Sequence, residues 1–553
     1  MASSCIGWTP LLLCLVQLLH FHTHTASTFS VHAHGHSNLT HHSAPSLCRP
    51  DQANILLKLK QSFRFHPNEW FRHDLESITT LPSWQAGTDC CLWEGVGCSK
   101  SSSGHAVVTA LDLSGFRLNS NGIHPVLFNL TSLRMLDLSM NNFRSYDDVS
   151  SLGFEGLSSL TYLNLSSSGI SSEVPIGISN LTNLVYLDLS SNRYICLDDD
   201  DELDYYTTSG APNFFSVPYF DTQGTTSLSN LRELYLDHAV TTSLSAEDFF
   251  KALAKYVPHL RVLSLEECSL QGQIDSSLSR LKSLAVINLS DNGGITPGPF
   301  PEFLMNFPNL RVLELSGINL QGWFPQGMFL SENLRVLDLS GNSNLSGHLP
   351  SFSNAASLET LRIDWTNFSY VTKSSYFSDF KALTELGIGG KIISMEFHPL
   401  FGMLASLHEL FVTQLDSPRQ LETLFSWLEG IKNLRSLSFI DCDLSMTIPS
   451  SIGNLRNLTS LHIWGSNFTT QTLSSVTNIR NLKNFEINCD HGDYIFLAVK
   501  LPSAIGNMSN LENWTSQLST FWANSTRSWR TEEAEITGTI FYRSFRQNTK
   551  YNC

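Results

Sequence analysis

Four cysteines near the start of the chain, Cys48, Cys90, Cys91 and Cys98, could form disulfides or bind a metal ion. Four thiols allow three disulfide pairings, and a bond between the adjacent Cys90 and Cys91 would be strained. A zinc site favours separated C-x-x-C pairs in a reducing compartment, whereas two of these cysteines are neighbours. The spacing therefore predicts two disulfides and no metal site, and it leaves two pairings open.

A second group of metal-binding side chains lies upstream of these cysteines, between residues 20 and 42. It consists of eight histidines, namely His20, His22, His24, His32, His34, His36, His41 and His42. Imidazoles at close spacing can chelate a metal, but this segment is otherwise rich in Ser and Thr. We interpret residues 27–47 as a solvated linker.

An acidic stretch interrupts the middle of the chain. Residues 198–202 read DDDDE, and Tyr205, Tyr206, Phe214 and Phe215 follow. Such a segment can bind calcium or a basic peptide, and it can equally be a loop that bulges from the fold or a degenerate structural unit. Both interpretations stay open for this acidic excursion, residues 193–229.

The motifs of the common enzyme classes are absent from the sequence. It contains no G-x-S-x-G elbow, no H-E-x-x-H and no glycine-rich loop with the kinase HRD and DFG motifs. With 34 basic and 50 acidic residues, the chain also lacks the positive charge of a nucleic-acid-binding surface. We predict a protein without catalytic activity, cofactor or nucleic-acid partner.

The elements that position these residues come from a repeat. Residues 334–350 read LRVLDLSGNSNLSGHLP, and imperfect copies of this segment fill most of the chain. Leu337 and Leu339 are two residues apart, so on a short strand both project into the core, with Leu334 preceding them. A unit this small cannot bury its own leucines, which predicts that neighbouring copies stack on it.

The residues between the leucines should face solvent on the opposite side of the strand. In this copy they are Val336, Asp338 and Ser340. Asn342 follows as the strand turns away, where its amide can bond backbone groups that the bend leaves unpaired. Cys268 and Cys442 occupy the equivalent position in their own copies, so we predict that both are small buried residues.

The copies recur at a period of 24 or 25 residues in most steps. Their first apolar residues are Val108, Leu133, Leu160, Leu184, Leu231, Leu260, Leu284, Leu310, Leu334, Leu358, Leu383, Leu407, Leu434, Leu458 and Leu482. This period, with its LxxLxLxxN core, resembles the plant extracellular subclass of leucine-rich repeats. The resemblance implies an α/β solenoid, a curved superhelix of about 15 repeats over residues 107–513, with a helical, disulfide-bonded N-terminal cap.

The segment before the repeats, residues 48–106, resembles the plant leucine-rich-repeat N-terminal cap. It matches the signature SW…DCCxWxGVxC of that cap from Ser83 onwards. The resemblance implies the pairs Cys48–Cys90 and Cys91–Cys98. An amphipathic helix should open this cap, with Asp51 as its N-cap and with an apolar face. That face consists of Leu56, Leu59 and Phe63.

Residues 1–26 suit a secretory signal peptide, because the apolar run is too short to span a bilayer. Twelve N-x-S/T sequons agree with secretion. We predict glycosylation at nine of them, namely Asn129, Asn164, Asn180, Asn288, Asn344, Asn367, Asn457, Asn467 and Asn507. The sequence shows no later apolar stretch of transmembrane length, and residues 514–553 lose the repeat. We expect this atypical tail to be poorly ordered, an alternative ending of a truncated chain.

Most residues on the solvent-facing side of the strands are Asp, Ser, Asn or Glu, and we interpret Asp112, Ser114, Asp137 and Asp188 as solubilising. Later repeats place large rings and charges there instead. Exposed rings and arginine favour contact with a partner. We therefore predict a ligand surface that consists of Arg362, Asp364, Trp365, Phe411, His462 and Trp464.

The whole pattern resembles the ectodomain of plant leucine-rich-repeat receptor-like proteins, similar to fungal-resistance and Verticillium-wilt-resistance-like proteins. The resemblance implies an extracellular module that binds a microbial or apoplastic peptide, glycan or protein in defence and signals through a co-receptor kinase. It implies secretion to the apoplast, with full-length relatives at the plasma membrane. The alternative is a secreted inhibitor of a pathogen cell-wall-degrading enzyme, similar to the polygalacturonase-inhibiting proteins.

Overall fold

One strand from each repeat joins a single long sheet. The computed structural model describes residues 47–64, 81–100, 105–143, 153–170, 176–191, 228–238, 245–325, 329, 331–347, 356–368, 380–393, 404–445, 448–488, 508 and 510–517. The predicted signal peptide, the histidines of the linker, Asn507, nearly all of the acidic excursion and the tail beyond residue 517 lie outside these residues. The strands alternate with turns and short helices, as the repeat predicts.

The strands of the long sheet are short, because the leucine pattern keeps each copy extended for only three to seven residues. They are β1 (Val96–Lys100), β2 (Ala106–Asp112), β3 (Met135–Asp137), β4 (Tyr162–Asn164), β5 (Tyr186–Asp188), β6 (Glu233–Tyr235), β7 (Val262–Ser264), β8 (Val286–Asn288), β9 (Val312–Glu314), β11 (Val336–Asp338), β13 (Thr360–Arg362), β15 (Glu385–Gly389), β16 (Glu409–Thr413), β17 (Ser436–Ile440), β19 (Ser460–Trp464), β21 (Asn484–Asn488) and β22 (Asn513–Gln517). Each pairs in parallel with the next, except that β1 is antiparallel to β2. This arrangement confirms the predicted solenoid.

Two smaller parallel sheets lie outside the long one. The first consists of β10 (Gln321–Trp323), β12 (Asn344–Gly347) and β14 (Asn367–Phe368). The second consists of β18 (Asp443–Leu444) and β20 (Asn467–Phe468). We call the three-stranded sheet the lateral sheet; its inner side packs Leu345 and Phe368 into the core.

Among the described residues, four α-helices and several short 3-10 helices precede or connect the strands. The helices are α1 (Pro50–Ser62), α2 (Ala246–Tyr256), α3 (Pro418–Leu428) and α4 (Thr470–Val476). Ser245 caps α2 by accepting a hydrogen bond from the Asp248 amide, and Ser417 with Gln420 forms a capping box on α3. Both helices bury their apolar faces under the sheet, and α3 places Trp427 there.

The leucines of the repeat form one continuous core. Leu334, Leu337 and Leu339 are each fully buried, and so are their equivalents along the array. Burying one leucine contributes about 1.5–3 kcal/mol, so stacked copies stabilise one another where a single copy could not fold.

Asn342 behaves as the sequence predicts. Its Nδ2 donates to the carbonyl oxygens of Leu315, Leu339 and Ser340 at 2.8–3.1 Å, and its Oδ1 accepts from the Leu320 amide at 2.9 Å. The side chain thus satisfies backbone groups of two neighbouring repeats.

Cys268 and Cys442 are buried at the positions equivalent to Asn342. Their thiols donate weakly to the carbonyl oxygens of Leu236 and Val412 respectively. Burial raises the pKa of Cys442 to about 12. Both are small buried residues, as predicted.

The cap closes the first strand of the array. Disulfides join Cys48 to Cys90 and Cys91 to Cys98, the pairing that the resemblance implied. The predicted apolar face of α1 is buried, but Asp51 is not its N-cap: the helix begins one residue earlier. Arg49 occupies the cap position, and Asp51 lies in the first turn and pairs with its guanidinium at 2.6 Å, which lowers the pKa of Asp51.

A residue shortly after the strand adopts a left-handed backbone conformation in most of the described repeats, the repeat of β15 being an exception. In the described repeats these residues are Gly115, Met140, Ser167, Ser191, His238, Glu267, Asp291, Gly317, Gly341, Trp365, Gln414, Asp441 and Gly465. Glycine adopts this conformation freely, whereas other residues carry strain of about 1–2 kcal/mol each. The turn therefore belongs to the repeat itself and does not depend on which residue occupies it.

The sheet continues beyond its predicted end. Asn513–Gln517 forms β22, and Phe485 and Ile487 of β21 pair with Trp514 and Ser516 in parallel register. The predicted boundary between repeats and tail, residue 513, therefore falls inside a strand.

Candidate functional site

The candidate site is the face of the long sheet opposite the leucines, which we call the concave face. The parallel register aligns one residue of each strand into a central row across it. From β3 to β21 this row reads Asp137, Asn164, Asp188, Tyr235, Ser264, Asn288, Glu314, Asp338, Arg362, Gly387, Phe411, Ser438, His462 and Glu486. The row brings together residues that lie about 24 positions apart in sequence.

The predicted solubilising role of the carboxylates and amides in this row is wrong in part. Asp137, Asn288 and Asp338 are buried, and Asp112 and Asp188 are half-buried. In each, Oδ1 accepts a hydrogen bond from the amide of the serine two residues later, at 2.8–3.1 Å. These side chains close the turn that ends the strand, which explains why short Asp and Asn recur there. The expected exposure of Asp338 and Ser340 is likewise wrong.

A tyrosine ladder crosses the face from β4 to β6. The rings of Tyr162 and Tyr186 stack at 4.3 Å between centroids, and Tyr186 lies 5.4 Å from Tyr235. Each hydroxyl donates to a carboxylate at 3.3–3.4 Å. Burial raises the pKa of Tyr162 to about 12, and it raises the pKa values of the other two further. Sequence analysis missed this ladder, although tyrosine at the first strand position of consecutive repeats was a usable signal.

Next to the ladder lies a group of carboxylates that we call the acidic strip. It consists of Asp237, Glu266, Asp291, Glu314 and Asp338, on the repeats of β6 to β11. Burial raises the pKa of Glu266 to about 7 and those of Asp291 and Asp338 to about 6. It also raises the pKa values of Asp237 and Glu314, and like charges across the strands add to the effect at Glu314.

Only some of the carboxylate oxygens in the acidic strip accept hydrogen bonds from neighbouring side chains. Asp237 accepts from the Ser264 hydroxyl at 2.6 Å, and Glu266 accepts from the Asn288 amide at 3.0 Å. By contrast, Oε2 of Glu314 is enclosed and has no hydrogen-bond partner among the described residues. An ionised carboxylate in that position is unfavourable unless a cation approaches it.

Metal binding does not explain the acidic strip. Within the part of the chain that the structure describes, the sole group of ligand atoms close enough to share an ion is Cys48, Cys90 and Cys91. Those cysteines are already bonded in disulfides. The geometry instead suits a cationic side chain, which can lie between carboxylates that are several ångströms apart.

Beyond the strip, Arg362 holds a closed cluster that we call the arginine bracket. Its guanidinium donates to both oxygens of Asp364 at 2.8 and 3.0 Å and to Glu385 at 3.3 Å. Its Cζ atom lies 4.2 Å from the centroid of the Phe411 ring, two strands away. Gly387 lies between them, and a β-carbon there would collide with Arg362 and Asp364. The missing side chain is what lets the arginine cross the strand.

The bracket changes how the predicted ligand surface is understood. Phe411 was expected to be an exposed ring, yet it is 8% exposed beneath the guanidinium, and the Asp364 side chain is 2% exposed. Arg362 is 12% exposed and already paired. These three residues form a wall of the concave face, and they do not offer free anchors.

The other three predicted residues are more accessible. His462 is 3.2 Å from Glu486, and its ring centroid is 5.5 Å from that of Trp464. Trp464 is half-buried, and its indole N–H has no acceptor among the described residues. Trp365 is half-buried at a left-handed position, where its backbone amide donates to Thr413. The six residues thus fall into two groups along the face.

The predicted glycosylation sites also divide by burial. The exposed asparagines are Asn129, Asn180, Asn344, Asn367 and Asn457. Asn164 is half-buried on the concave face, and Asn288 is 3% exposed with both amide atoms in hydrogen bonds. Glycosylation at Asn288 is therefore incompatible with the fold. The sequon at this position is part of the strand pattern of the repeat. The Asn467 backbone belongs to β20.

Across the described residues, no helix combines the length and apolar character that a bilayer crossing requires.

Comparison with known proteins supports the repeat and the cap. A family profile described as leucine rich repeat N-terminal domain matches residues 49–99, and one described as Leucine Rich Repeat matches residues 159–181, 333–355 and 433–455. Receptor-like protein 6 of Arabidopsis thaliana is 30% identical over 269 residues, which cover 47% of this chain and 24% of that protein. Receptor-like protein Cf-9 of Solanum pimpinellifolium is 38% identical over 109 residues, 18% of this chain and 12% of that one. The chain thus matches about a quarter or less of the length of these relatives.

Solved structures share the architecture. The ectodomain of the Arabidopsis thaliana receptor kinase GASSHO1/SCHENGEN3, in complex with CASPARIAN STRIP INTEGRITY FACTOR 2, is 21% identical with a TM-score of 0.44, covering 84% of this chain and 61% of that one. The Arabidopsis receptor kinase HAESA, in complex with the peptide hormone IDA and the co-receptor SERK1, is 20% identical with a TM-score of 0.37, covering 85% and 87%. These are likenesses of fold alone. The chain thus carries a leucine-rich-repeat N-terminal domain and leucine-rich repeats, and its sequence is similar to those of plant receptor-like proteins.

Proposed function

We propose that this chain is an extracellular recognition module that binds a peptide, glycan or protein on its concave face in plant defence. It acts without catalysis of its own and signals through a co-receptor kinase. Secretion into the apoplast places the face where such a ligand is met, and full-length relatives hold it at the plasma membrane. Similarity to receptor-like proteins supports the class of function.

The observation that carries the proposal is the gathering of the acidic strip, in which burial raises the pKa of every carboxyl and so makes ionisation unfavourable without a further cation. Five carboxylates gather on adjacent strands, and Oε2 of Glu314 lacks a partner among the described residues. The nearest basic groups are already engaged, since His238 lies 2.9 Å from Glu267 and Arg362 belongs to the bracket. A ligand with a cationic segment supplies the charge that the fold leaves out.

The two groups of predicted ligand residues take different roles in this proposal. The strip receives the cationic segment, and the arginine bracket forms a rigid wall beside it. His462 and Trp464, both half-buried, extend the surface towards the C-terminal repeats. Ten strands lie between the start of the tyrosine ladder and Trp464, a distance of roughly 53 Å at the usual strand spacing, which suits an extended chain.

The experiment compares two pairs of substitutions, each of which replaces one aspartate and one glutamate by their amides. Glu314→Gln with Asp338→Asn neutralises the strip, and Asp248→Asn with Glu512→Gln neutralises exposed carboxylates elsewhere. The probe is a synthetic lysine-rich peptide, with the same peptide fully lysine-acetylated as its control. Interferometry should show binding that weakens roughly ten-fold in the strip variant and stays within about two-fold in the other.

Equal weakening by the two pairs would mean that the peptide senses only net charge, and it would overturn the strip as the binding site. Tight binding of the acetylated peptide would overturn the cationic ligand class. Binding of a cell-wall-degrading enzyme that blocks its activity would favour the inhibitor alternative instead.

A further inference from the structure

The residue that follows the first leucine of each repeat lies just before the strand, and these residues form a row along one flank of the long sheet. The amide of Arg261 donates to the carbonyl oxygen of Arg232 at 2.7 Å, and that of Arg335 donates to Arg311 at 2.8 Å. Ala285 joins the two pairs through equivalent bonds at 2.7 and 2.8 Å. The register thus gathers four arginines within five consecutive repeats, those of β6, β7, β8, β9 and β11. We call these arginines the arginine row.

Most guanidinium groups of the arginine row have no carboxylate partner. The side chains of Arg261 and Arg311 are exposed, and neither makes a hydrogen bond or an ion pair with the residues that the structure describes. Arg232 is half-buried and donates to two backbone carbonyl oxygens of its own repeat. Within this described part of the chain, only Arg335 of the row meets a carboxylate, that of Glu359 at 3.4 Å.

Such a row is unfavourable without a counter-charge. The backbone bonds place two pairs of arginines on neighbouring strands, where like charges opposite one another destabilise a sheet. At another position of the same flank, Lys483 lies 2.6 Å from Glu512 on the next repeat, so the chain can place a carboxylate there. An anionic partner would supply for the arginine row the charge that Glu512 supplies for Lys483.

A row of valines lies next to the arginines. They are Val262, Val286, Val312 and Val336, the first residues of β7, β8, β9 and β11, and the parallel register aligns them. Each valine is half-buried on the concave face. The surface beside the charges is therefore apolar, and it separates the arginine row from the acidic strip towards the other end of the strands.

The spacing of the arginine row limits the kind of anionic partner. Neighbouring strands lie ~4.8 Å apart, so the row offers charges at intervals of about 5 or 10 Å over roughly 19 Å. An extended acidic peptide turns every second side chain to the same side, about 7 Å apart, and falls out of step with the row. A linear polyuronate carries one carboxylate on each sugar, and each sugar advances the chain by about the strand spacing.

We propose that the arginine row and the adjacent valines bind a linear anionic glycan, a polyuronate, that runs across the strands along this flank. Its carboxylates pair with the guanidinium groups of Arg261 and Arg311, whose planar fork matches a carboxylate. The C–H groups of its sugar rings cover the valines. The inference is independent of the proposed function, because this ligand has the opposite charge and contacts the opposite ends of the strands.

The test measures binding of a fluorescent galacturonate oligomer to the full-length chain by fluorescence anisotropy. The oligomer has about eight sugars, and the buffer contains about 0.1 M salt, where the Debye length is about 10 Å. Arg261→Gln with Arg311→Gln should weaken binding roughly ten-fold, because it removes the two unpaired charges of the row.

Arg134→Gln with Arg435→Gln is the matched control. Both arginines are exposed at the same repeat position, and neither has an arginine on a neighbouring strand. Each pair of substitutions removes two permanent positive charges, so the net charge changes equally. The control pair should leave the affinity within about two-fold of the unmodified chain.

Val286→Thr tests the apolar part of the surface. It keeps the branched shape and the charge but adds a hydroxyl group, so binding should weaken about two- to five-fold. Unchanged affinity in this variant would contradict the contact with the valines.

Three further results would overturn the proposal. Equal weakening by the two arginine pairs would mean that the oligomer senses only net charge. The methyl-esterified oligomer is neutral and should not bind, so binding as tight as that of the acid form would exclude the carboxylates as the recognised groups. A polyglutamate of equal charge that bound as tightly as the oligomer would indicate an acidic peptide as the partner instead of a glycan.

Discussion

The acidic strip and the arginine bracket lie side by side on one sheet, yet they balance charge in opposite ways. In the bracket, Arg362 satisfies Asp364, Glu385 and the face of Phe411 at once. In the strip, carboxylates face one another, and Oε2 of Glu314 has no partner in the described part of the chain. The difference shows that charged residues at equivalent repeat positions can be fully paired in one place and only partly paired in another.

Removing the arginine should give the largest effect. Arg362→Ala leaves Asp364 and Glu385 without their cation, and Asp364 is buried, so we expect a loss of about 3–5 kcal/mol in unfolding free energy. Urea unfolding followed by circular dichroism measures it. Asp338→Asn in the strip is the matched change and should cost less than about 1 kcal/mol. Equal losses would erase the distinction between the two regions.

Filling the gap under the arginine should have an intermediate effect. Gly387→Ala places a methyl group where Arg362 and Asp364 now pass, so we expect destabilisation of about 1–3 kcal/mol by overpacking. Gly293→Ala is a suitable control, because nothing lies near a β-carbon there. If thermal melts showed the two alanines to be equivalent, the crossing of β15 by Arg362 would not be a rigid feature.

The smallest effect concerns pH and the strip. A carboxyl whose pKa is raised by folding binds protons between about pH 4 and 7 that the unfolded chain has released, so stability falls as pH rises through this window. We expect the unfolding free energy to be about 1–3 kcal/mol lower at pH 7.5 than at pH 5. Glu314→Gln should reduce that difference, because the pKa of this carboxyl is raised by burial.

The carboxyls with lowered pKa values do not interfere with this measurement. Hydrogen bonds lower the pKa values of Asp51, Glu247 and Asp275 below the ordinary values of carboxyl groups, so these side chains are mostly ionised in the folded and the unfolded chain between about pH 5 and 7.5. A strip variant with the same pH profile as the unmodified chain would show that the carboxylates are ordinarily ionised and solvated.

Much of the fold could be predicted because it depends on local periodicity. The buried leucines, the bonds of Asn342 and the inert thiols of Cys268 and Cys442 each follow from one position in one repeat. Asp51 was misplaced because Pro50 occupies the first helical position, so the N-cap is Arg49, two residues before the predicted one.

The site was less predictable because its chemistry lies between repeats. Whether Phe411 is exposed depends on Arg362, 49 residues earlier, and on the missing side chain of Gly387 between them. Asn288 matches a sequon, yet its amide is consumed by Glu266 on the preceding strand. Neither fact appears in a single copy of the repeat, and both require the register across three strands.

The one-dimensional order of the sheet also bears on how the chain folds as it is synthesised. Each strand from β3 onward pairs with the one made just before it, usually about 24 residues earlier, so every added repeat can dock as soon as it emerges. The exception is β6, where Leu234 must find Leu187 across 47 residues. Doubling a loop adds only about 0.6 kcal/mol of closure entropy, so the step is slower without being prohibitive. Nascent chains should therefore accumulate with the cap and the first four repeats formed, and completion of β6 should set the pace for the rest.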